Sequence, residues 1–132
     1  MPFVIPLSVA VPANTPATAP VKATVRLPAG SVIDRLLLHV PAGCQALAPV
    51  WFEKGGGRIV PTPFKDTTPE IRLDDISGLE LLAFPLGFRQ EVDFSLVGYN
   101  EDTSYSHTTR AILIGRYASE IPAGTKRMLE LM

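Results

Sequence analysis

Apolar and polar residues alternate with a period of two along most of this chain, and this pattern constrains the fold more than any other feature. In VKATVRL, residues 21–27, the odd positions are apolar and the even positions are polar. In EVDFSLVGY, residues 91–99, the apolar side chains of Val92, Phe94 and Leu96 share one side. Because successive side chains of a strand point to opposite faces, these stretches predict half-buried β-strands.

Turn signals separate the alternating stretches. The tripeptide PAG occurs at residues 28–30, 41–43 and 122–124, and KGGGR at residues 54–58 is typical of a hairpin tip. Between them, EIRLDD at residues 70–75 predicts a further short strand. About eight or nine short strands at regular spacing predict an all-β protein, a jelly-roll-like antiparallel β-sandwich.

Both ends of the chain differ from this pattern. Residues 1–20 predict an extended, Pro-rich N-terminal arm, residues 21–117 the β-sandwich domain, and residues 118–132 a short C-terminal helical tail. Pro-rich chain is stiff and extended, so the arm is expected to lie along its own sandwich or on a neighbouring subunit. On this hypothesis, deleting residues 1–20 leaves the sandwich folded. The side chains expected to make interface contacts are Phe3, Ile5, Val9, Pro12 and Pro16 in the arm and Met128, Leu129 and Leu131 in the tail.

Composition favours one folded domain with protein partners. Of the 132 residues, 46% are hydrophobic and only 19% are charged, so part of the surface is expected to be covered. The net charge of -1 argues against a nucleic-acid partner. The apolar start is broken by prolines and has no basic residue, which predicts neither a signal peptide nor a membrane span.

Few residues are suited to catalysis. The chain has one cysteine, Cys44, and two histidines, His39 and His107, with no metal-ligand spacing, so we expect no enzyme activity, cofactor or metal. Cys44 is expected to be a small buried hydrophobe. The polar loop NEDTSYSH, residues 100–107, provides a candidate ligand site at Asn100, Asp102 and Tyr105. The alternative is a hairpin loop in which Asn100 and Asp102 bind their own backbone.

Four short motifs resemble those of small β-sandwich virion proteins of tailed bacteriophages. They are Thr15-Pro16, the strand at residues 31–35, PAGC at residues 41–44 and the loop at residues 100–107. The resemblance covers about residues 13–115 and leaves the tail outside. It implies a capsid decoration or cement protein that is made in the host cytoplasm and located in the virion. The expected partners are copies of itself, with a homotrimer expected, and the major capsid protein or other virion subunits.

Two alternatives stay open at this point. One is a glycan-binding or tail-adhesin module that uses Asn100, Asp102 and Tyr105. The other is a head–tail or tail structural component, which the number of copies in each particle distinguishes from a cement protein.

Overall fold

The computed structural model describes residues 2–62 and 69–117, which form nine β-strands and no helix. The all-β prediction is therefore confirmed for these residues. None of them forms a helix that is long and apolar enough to cross a membrane. The strands are β1 Pro2–Val11, β2 Val21–Leu27, β3 Val32–Val40, β4 Val50–Lys54, β5 Gly57–Val60, β6 Ile76–Glu80, β7 Leu86–Gly87, β8 Val92–Gly98 and β9 His107–Arg116.

The strands form two antiparallel sheets around a shared core. The first sheet has the order β1-β9-β3-β6, with β7 also pairing with β3, and the second sheet has the order β2-β8-β4-β5. The architecture is sandwich-like because the main hydrophobic cluster takes side chains from both sheets. Its fully buried members include Leu36, Leu38 and Leu113 from the first sheet and Leu27, Phe52, Phe94 and Leu96 from the second.

The predicted turns are present at the glycines. Gly30 and Gly43 close the first two PAG turns with φ of 83° and 98°, and Gly55 and Gly56 form the hairpin tip between β4 and β5. The strand predicted at residues 70–75 is wrong in extent. Only Ile71 makes an isolated bridge, to Val50, and β6 starts after Asp75, whose φ of 52° interrupts the extended backbone.

The N-terminal arm needs correction over residues 2–11, because these residues form β1 of the first sheet. β1 pairs with β9 along its whole length, from Pro2 opposite Arg116 to Val11 opposite His107. Alternation turns the odd-numbered side chains inward, so Phe3 and Val9 are buried. Ile5 is half-buried and packs against the same core.

This placement changes two expectations. Phe3 and Val9 are buried in the core of their own chain, so they are not surface contacts for another subunit, whereas contact of the half-buried Ile5 with another subunit stays a prediction. The boundary between arm and sandwich moves from residue 20 to residue 11, and we call residues 12–20 the linker. The predicted helical tail, with Met128, Leu129 and Leu131, lies outside the described residues.

Candidate interaction surface

The outer face of the first sheet carries an apolar patch. The odd-numbered residues of β1 and the alternating core residues of β9 point inward, so their neighbours point outward. The strand register places Pro6 opposite Ile112 and Ile112 opposite Leu37, which makes an apolar row across β1, β9 and β3. Val4 lies opposite Ile114 beside this row. We call these five residues the outer apolar patch; Val4 is 66% exposed and Ile112 is 40% exposed.

These patch residues are not among the interface residues predicted from the sequence. The sequence nevertheless contains an indication of them, because β3 and β9 have apolar residues at outward-facing as well as inward-facing positions. Leu37 occupies an outward-facing position of VIDRLLLHV, and Ile112 and Ile114 occupy outward-facing positions of TTRAILIG. The pattern alone cannot show that Leu37 and Ile112 are neighbours, because this depends on which strands pair.

Charged side chains border the outer apolar patch. At one end Arg110 and His39 are exposed and lie opposite each other in the β9–β3 register. Within residues 2–62 and 69–117, no carboxylate forms an ion pair with Arg110. On the other side of the row, the Arg35 Nε donates to Glu80 Oε1 at 2.7 Å. An apolar centre with a charged border is the usual anatomy of a protein–protein interface.

The outer face of the second sheet differs, because its polar groups bind one another. Lys22 Nζ and Trp51 Nε1 each donate to the carboxylate of Glu53 at 2.8 Å. Burial raises the pKa of Glu53, but these two hydrogen bonds and the positive charges of Lys22 and Arg58 together lower it below its ordinary value. The Arg58 guanidinium lies 3.8 Å from the centre of the Trp51 ring, and the hydroxyls of Thr24 and Ser95 hydrogen bond at 2.8 Å.

The β1 edge of the first sheet is poorly suited to the addition of another strand. β1 is one of the two edge strands, the other being β6, and it contains Pro2 and Pro6. Proline has no N–H to donate, and in sheets it is tolerated where that position faces away from the neighbouring strand. A partner strand therefore meets an interrupted hydrogen-bonding edge, which is a common protection against edge pairing. The outer face of this sheet is therefore a better docking surface than its β1 edge.

The candidate ligand loop uses most of its polar groups internally. Asn100 is 2% exposed; its Nδ2 donates to the carbonyl oxygens of Val11 and Tyr105 at 3.1 and 2.9 Å. Its Oδ1 accepts from the backbone N–H of Asp102 at 2.9 Å. The geometry thus matches the alternative in which Asn100 folds back on its own loop. Tyr105 is 70% exposed, and its side chain points away from this network.

Asp102 organises the rest of the loop. One carboxylate oxygen accepts from the backbone N–H groups of Ser104 and Tyr105, and the other lies 2.8 Å from His107 Nε2. The bond from Ser104, followed by that from His107, lowers the pKa of Asp102 below its ordinary value. This carboxylate is occupied by its own loop.

The same loop holds the linker. The Asn14 N–H donates to the Asp102 carbonyl oxygen, and the Asn100 N–H donates to the Thr15 carbonyl oxygen, both at 2.9 Å. The start of the linker therefore lies on its own domain, while Pro12 and Pro16 are exposed beside it. Contact of these two prolines with another subunit stays a prediction.

The described residues offer little reactive chemistry. Within residues 2–62 and 69–117, no three His, Cys, Asp or Glu residues form a metal-binding group. Cys44 is fully buried, and burial raises the pKa of its thiol. Because the thiolate is the reactive form, this environment suits a small core residue, as the sequence predicts, and not a nucleophile.

Comparisons of the chain with models of protein families, with curated proteins and with solved structures found no match. The function is therefore inferred from geometry. The most informative observation is the contrast between an exposed apolar face on the first sheet and an ion-paired face on the second.

Proposed function

We propose that this chain is a non-enzymatic structural protein of a tailed-phage particle, a capsid decoration or cement protein. In this proposal it binds other subunits through the outer apolar patch. The single observation that carries the proposal is the outward-facing row of the exposed Pro6 and Ile112 and the half-buried Leu37 across three strands, bordered by charge. The virion location in this proposal is taken from the sequence resemblance to small β-sandwich virion proteins. The proposed partners are further copies of this chain, as a trimer, and the major capsid protein.

The proposed mechanism is burial of apolar surface between subunits. Removing apolar area from water is favourable by about 25 cal/mol for each Å². Stable interfaces bury roughly 1,000 Å² or more, so the patch forms the centre of a contact that also includes its charged border. Arg110 and the Arg35–Glu80 pair belong to that border, where charges fix orientation more than affinity.

We further propose a jelly-roll connection of the strands. The strand orders support it, because without the two-residue β7 there are four strands in each sheet among the described residues. The first of these strands lies beside the last, and the second beside the penultimate one. Jelly rolls have eight strands in two such Greek keys and are frequent in viral capsid proteins. The helical form of residues 118–132 stays a sequence-based prediction.

The test is binding of the purified chain to particles of the encoding phage assembled without it, with copies counted by quantitative mass spectrometry. Wild-type protein is expected to bind in numbers comparable with the major capsid protein, and Ile112→Glu is expected to lose binding. Tyr105→Ala is the matched control, since it removes another exposed ring and should bind normally. If Ile112→Glu keeps particle binding and Tyr105→Ala abolishes adsorption of the phage to cells, the glycan-binding alternative replaces this proposal. If each particle contains only as many copies as form a single ring, a head–tail joint is favoured.

A further inference from the structure

The first sheet carries different groups on the two sides of β3. β9 and β1 lie on one side, which we call the β9 side, with most of the outer apolar patch and the exposed Arg110. β6 and the loop of residues 81–85 lie on the other, which we call the β6 side. This side carries the exposed ring of Phe84 and the exposed carboxylates of Asp74 and Asp75.

Phe84 is an aromatic ring held in solvent by a fixed loop. It is 81% exposed, the largest exposure among the large hydrophobic side chains that the structure describes. The loop is anchored on β3 at both ends, because the Leu81 N–H donates to the Leu36 carbonyl oxygen at 2.9 Å and Leu86 pairs with Ile33. The proline at position 85 restricts the backbone before it to extended conformations. A ring positioned in this way before binding loses little freedom when a partner covers it.

The charges on the two sides of β3 are complementary. Among the residues that the structure describes, Arg110 forms no ion pair with a carboxylate, and neither Asp74 nor Asp75 forms one with a cation. Arg110 is opposite His39, and Asp75 comes directly before the residue that pairs with Val40. The cation and the carboxylate therefore lie at the same end of β3, two strand spacings or about 10 Å apart.

The apolar groups of the two sides also match in level. Ile114 is opposite Arg35, and the loop of Phe84 is anchored at Leu36 and Ile33, on either side of Arg35. A second copy related by rotation about an axis parallel to β3 keeps these levels. Such a rotation brings the β6 side of one chain to the β9 side of the other, with carboxylate against cation and the ring against isoleucine.

We propose that the β6 side of the first sheet binds the β9 side of a second copy of this chain. Phe84 of one copy packs on Ile112 and Ile114 of the next, where a groove of about 560 Å³ runs over Ile112 to Arg110, and Asp75 pairs with Arg110. This inference rests on the proposed function, because it takes the outer apolar patch to be a subunit interface. The contact is head-to-tail, so a ring of three, the proposed trimer, uses both sides of every subunit.

Analytical ultracentrifugation of the full chain measures this self-association. Wild type is expected to have three times the mass of one chain, and Phe84→Ala is expected to weaken the contact about tenfold, which corresponds to about 1.4 kcal/mol. Tyr105→Ala is the matched control and should change nothing, because it removes an exposed ring from a different loop. A monomeric wild type, or equal association of wild type and Phe84→Ala, overturns the proposal.

A charge exchange tests the ion pair. Arg110→Asp is expected to weaken self-association, and Asp75→Arg in the same chain is expected to restore it. Lys54→Asp is the matched control, because it makes the same change of charge at an exposed position of the second sheet and should have no effect. Asp75→Asn should also weaken association while the chain stays folded, since asparagine tolerates the φ of 52°. If neither Asp75→Asn nor Arg110→Asp weakens association, the proposed pairing is wrong.

Disulfide cross-linking identifies which sides meet. Chains with Phe84→Cys and tagged chains with Ile114→Cys are mixed and oxidised, and a covalent dimer of one chain of each kind is expected. The native Cys44 is fully buried, so it gives little background. Tyr105→Cys mixed with Ile114→Cys is the control and should stay uncross-linked. A mixture that yields only dimers of like chains, or no dimer, overturns the proposal.

Particle binding is measured separately, so that the two proposals can fail independently. If Phe84→Ala leaves self-association unchanged but Ile112→Glu still loses binding to particles, only the inference about the two sides of β3 fails. If Ile112→Glu binds particles normally, the proposed function fails.

Discussion

The side-chain amide of Asn100 donates to the backbone carbonyl oxygen of Val11 at 3.1 Å, across 89 residues of sequence. This hydrogen bond joins the last residue of β1 to the loop before β9, the strand with which β1 pairs. It therefore fixes the place where the linker leaves the first sheet. The loop predicted as a candidate ligand site has a structural role at this position.

Replacing Asn100 is expected to destabilise the protein. Asn100→Ala leaves the Val11 and Tyr105 carbonyl oxygens without their amide donor, and each buried polar group without a partner costs about 1–3 kcal/mol. We expect the free energy of unfolding in urea to fall by about 2–3 kcal/mol. Tyr105→Ala is the control and should change it by less than about 0.5 kcal/mol, because the ring is exposed. Equal effects of the two substitutions contradict this role of Asn100.

The carboxylate of Asp102 is expected to make stability depend on acidic pH. Its pKa is lowered in the folded protein by the bonds from Ser104 and His107, so its contribution is present above the unfolded pKa, about 3.9. That contribution is lost as pH falls below about 4 and through the folded pKa. Asp102→Asn should therefore have a lower urea midpoint than wild type at pH 6, and the two midpoints should approach each other at pH 3. A difference that stays constant with pH shows that ionisation of Asp102 is not involved.

Gly115 is expected to tolerate no side chain. A Cβ at this position lies 2.0 Å from the Val32 carbonyl oxygen and 2.5 Å from the Phe3 ring, so β9 and β3 would have to separate. We expect Gly115→Ala to lower the unfolding free energy by about 3 kcal/mol or to prevent folding. Gly98→Ala is the matched control, because its nearest contact is the Val50 side chain at 3.1 Å and no backbone atom lies closer than 3.4 Å, so a smaller loss is expected. Circular dichroism during heating measures both.

Deleting residues 2–11 is expected to unfold the domain. The deletion removes β1, including the buried side chains of Phe3, Leu7 and Val9, and exposes the apolar edge of β9. Truncating one buried Phe to Ala already costs about 3–5 kcal/mol, so loss of the strand exceeds the stability of an ordinary domain. This reverses the expectation from the arm hypothesis. Dispersed amide signals in the NMR spectrum of the truncated protein contradict the prediction.

Local chemistry explains which parts of the fold were accessible from the sequence. Alternation correctly assigned Leu27, Phe94 and Leu96 to the core, and the first two PAG tripeptides and KGGGR correctly marked turns, because both signals act within a few residues. The strand-like parity of residues 3–11 was also visible. Whether that strand pairs with its own sheet or with a neighbour depends on β9, about a hundred residues away, and propensity carries no such information.

The candidate site was less accessible for the same reason. The outer apolar patch exists only because β9 lies between β1 and β3, which brings Pro6, Ile112 and Leu37 into one row. Asn100 and Asp102 have the composition of a ligand loop, but their side chains bind backbone groups whose positions only the fold determines. Short polar residues of this kind suit both a ligand loop and a loop that binds its own backbone, so the sequence allows both roles and the fold determines which is present.

The position of β9 in the first sheet has a consequence for synthesis on the ribosome. β9 is the last of the nine described strands to be translated, yet it lies between β1 and β3 and pairs with both. Until β9 leaves the exit tunnel, β1 and β3 have no partner strand between them, and their apolar side chains are exposed to solvent. The first sheet therefore cannot form completely until β9 is synthesised, and until then these strands need protection from aggregation, by a chaperone or by fast folding.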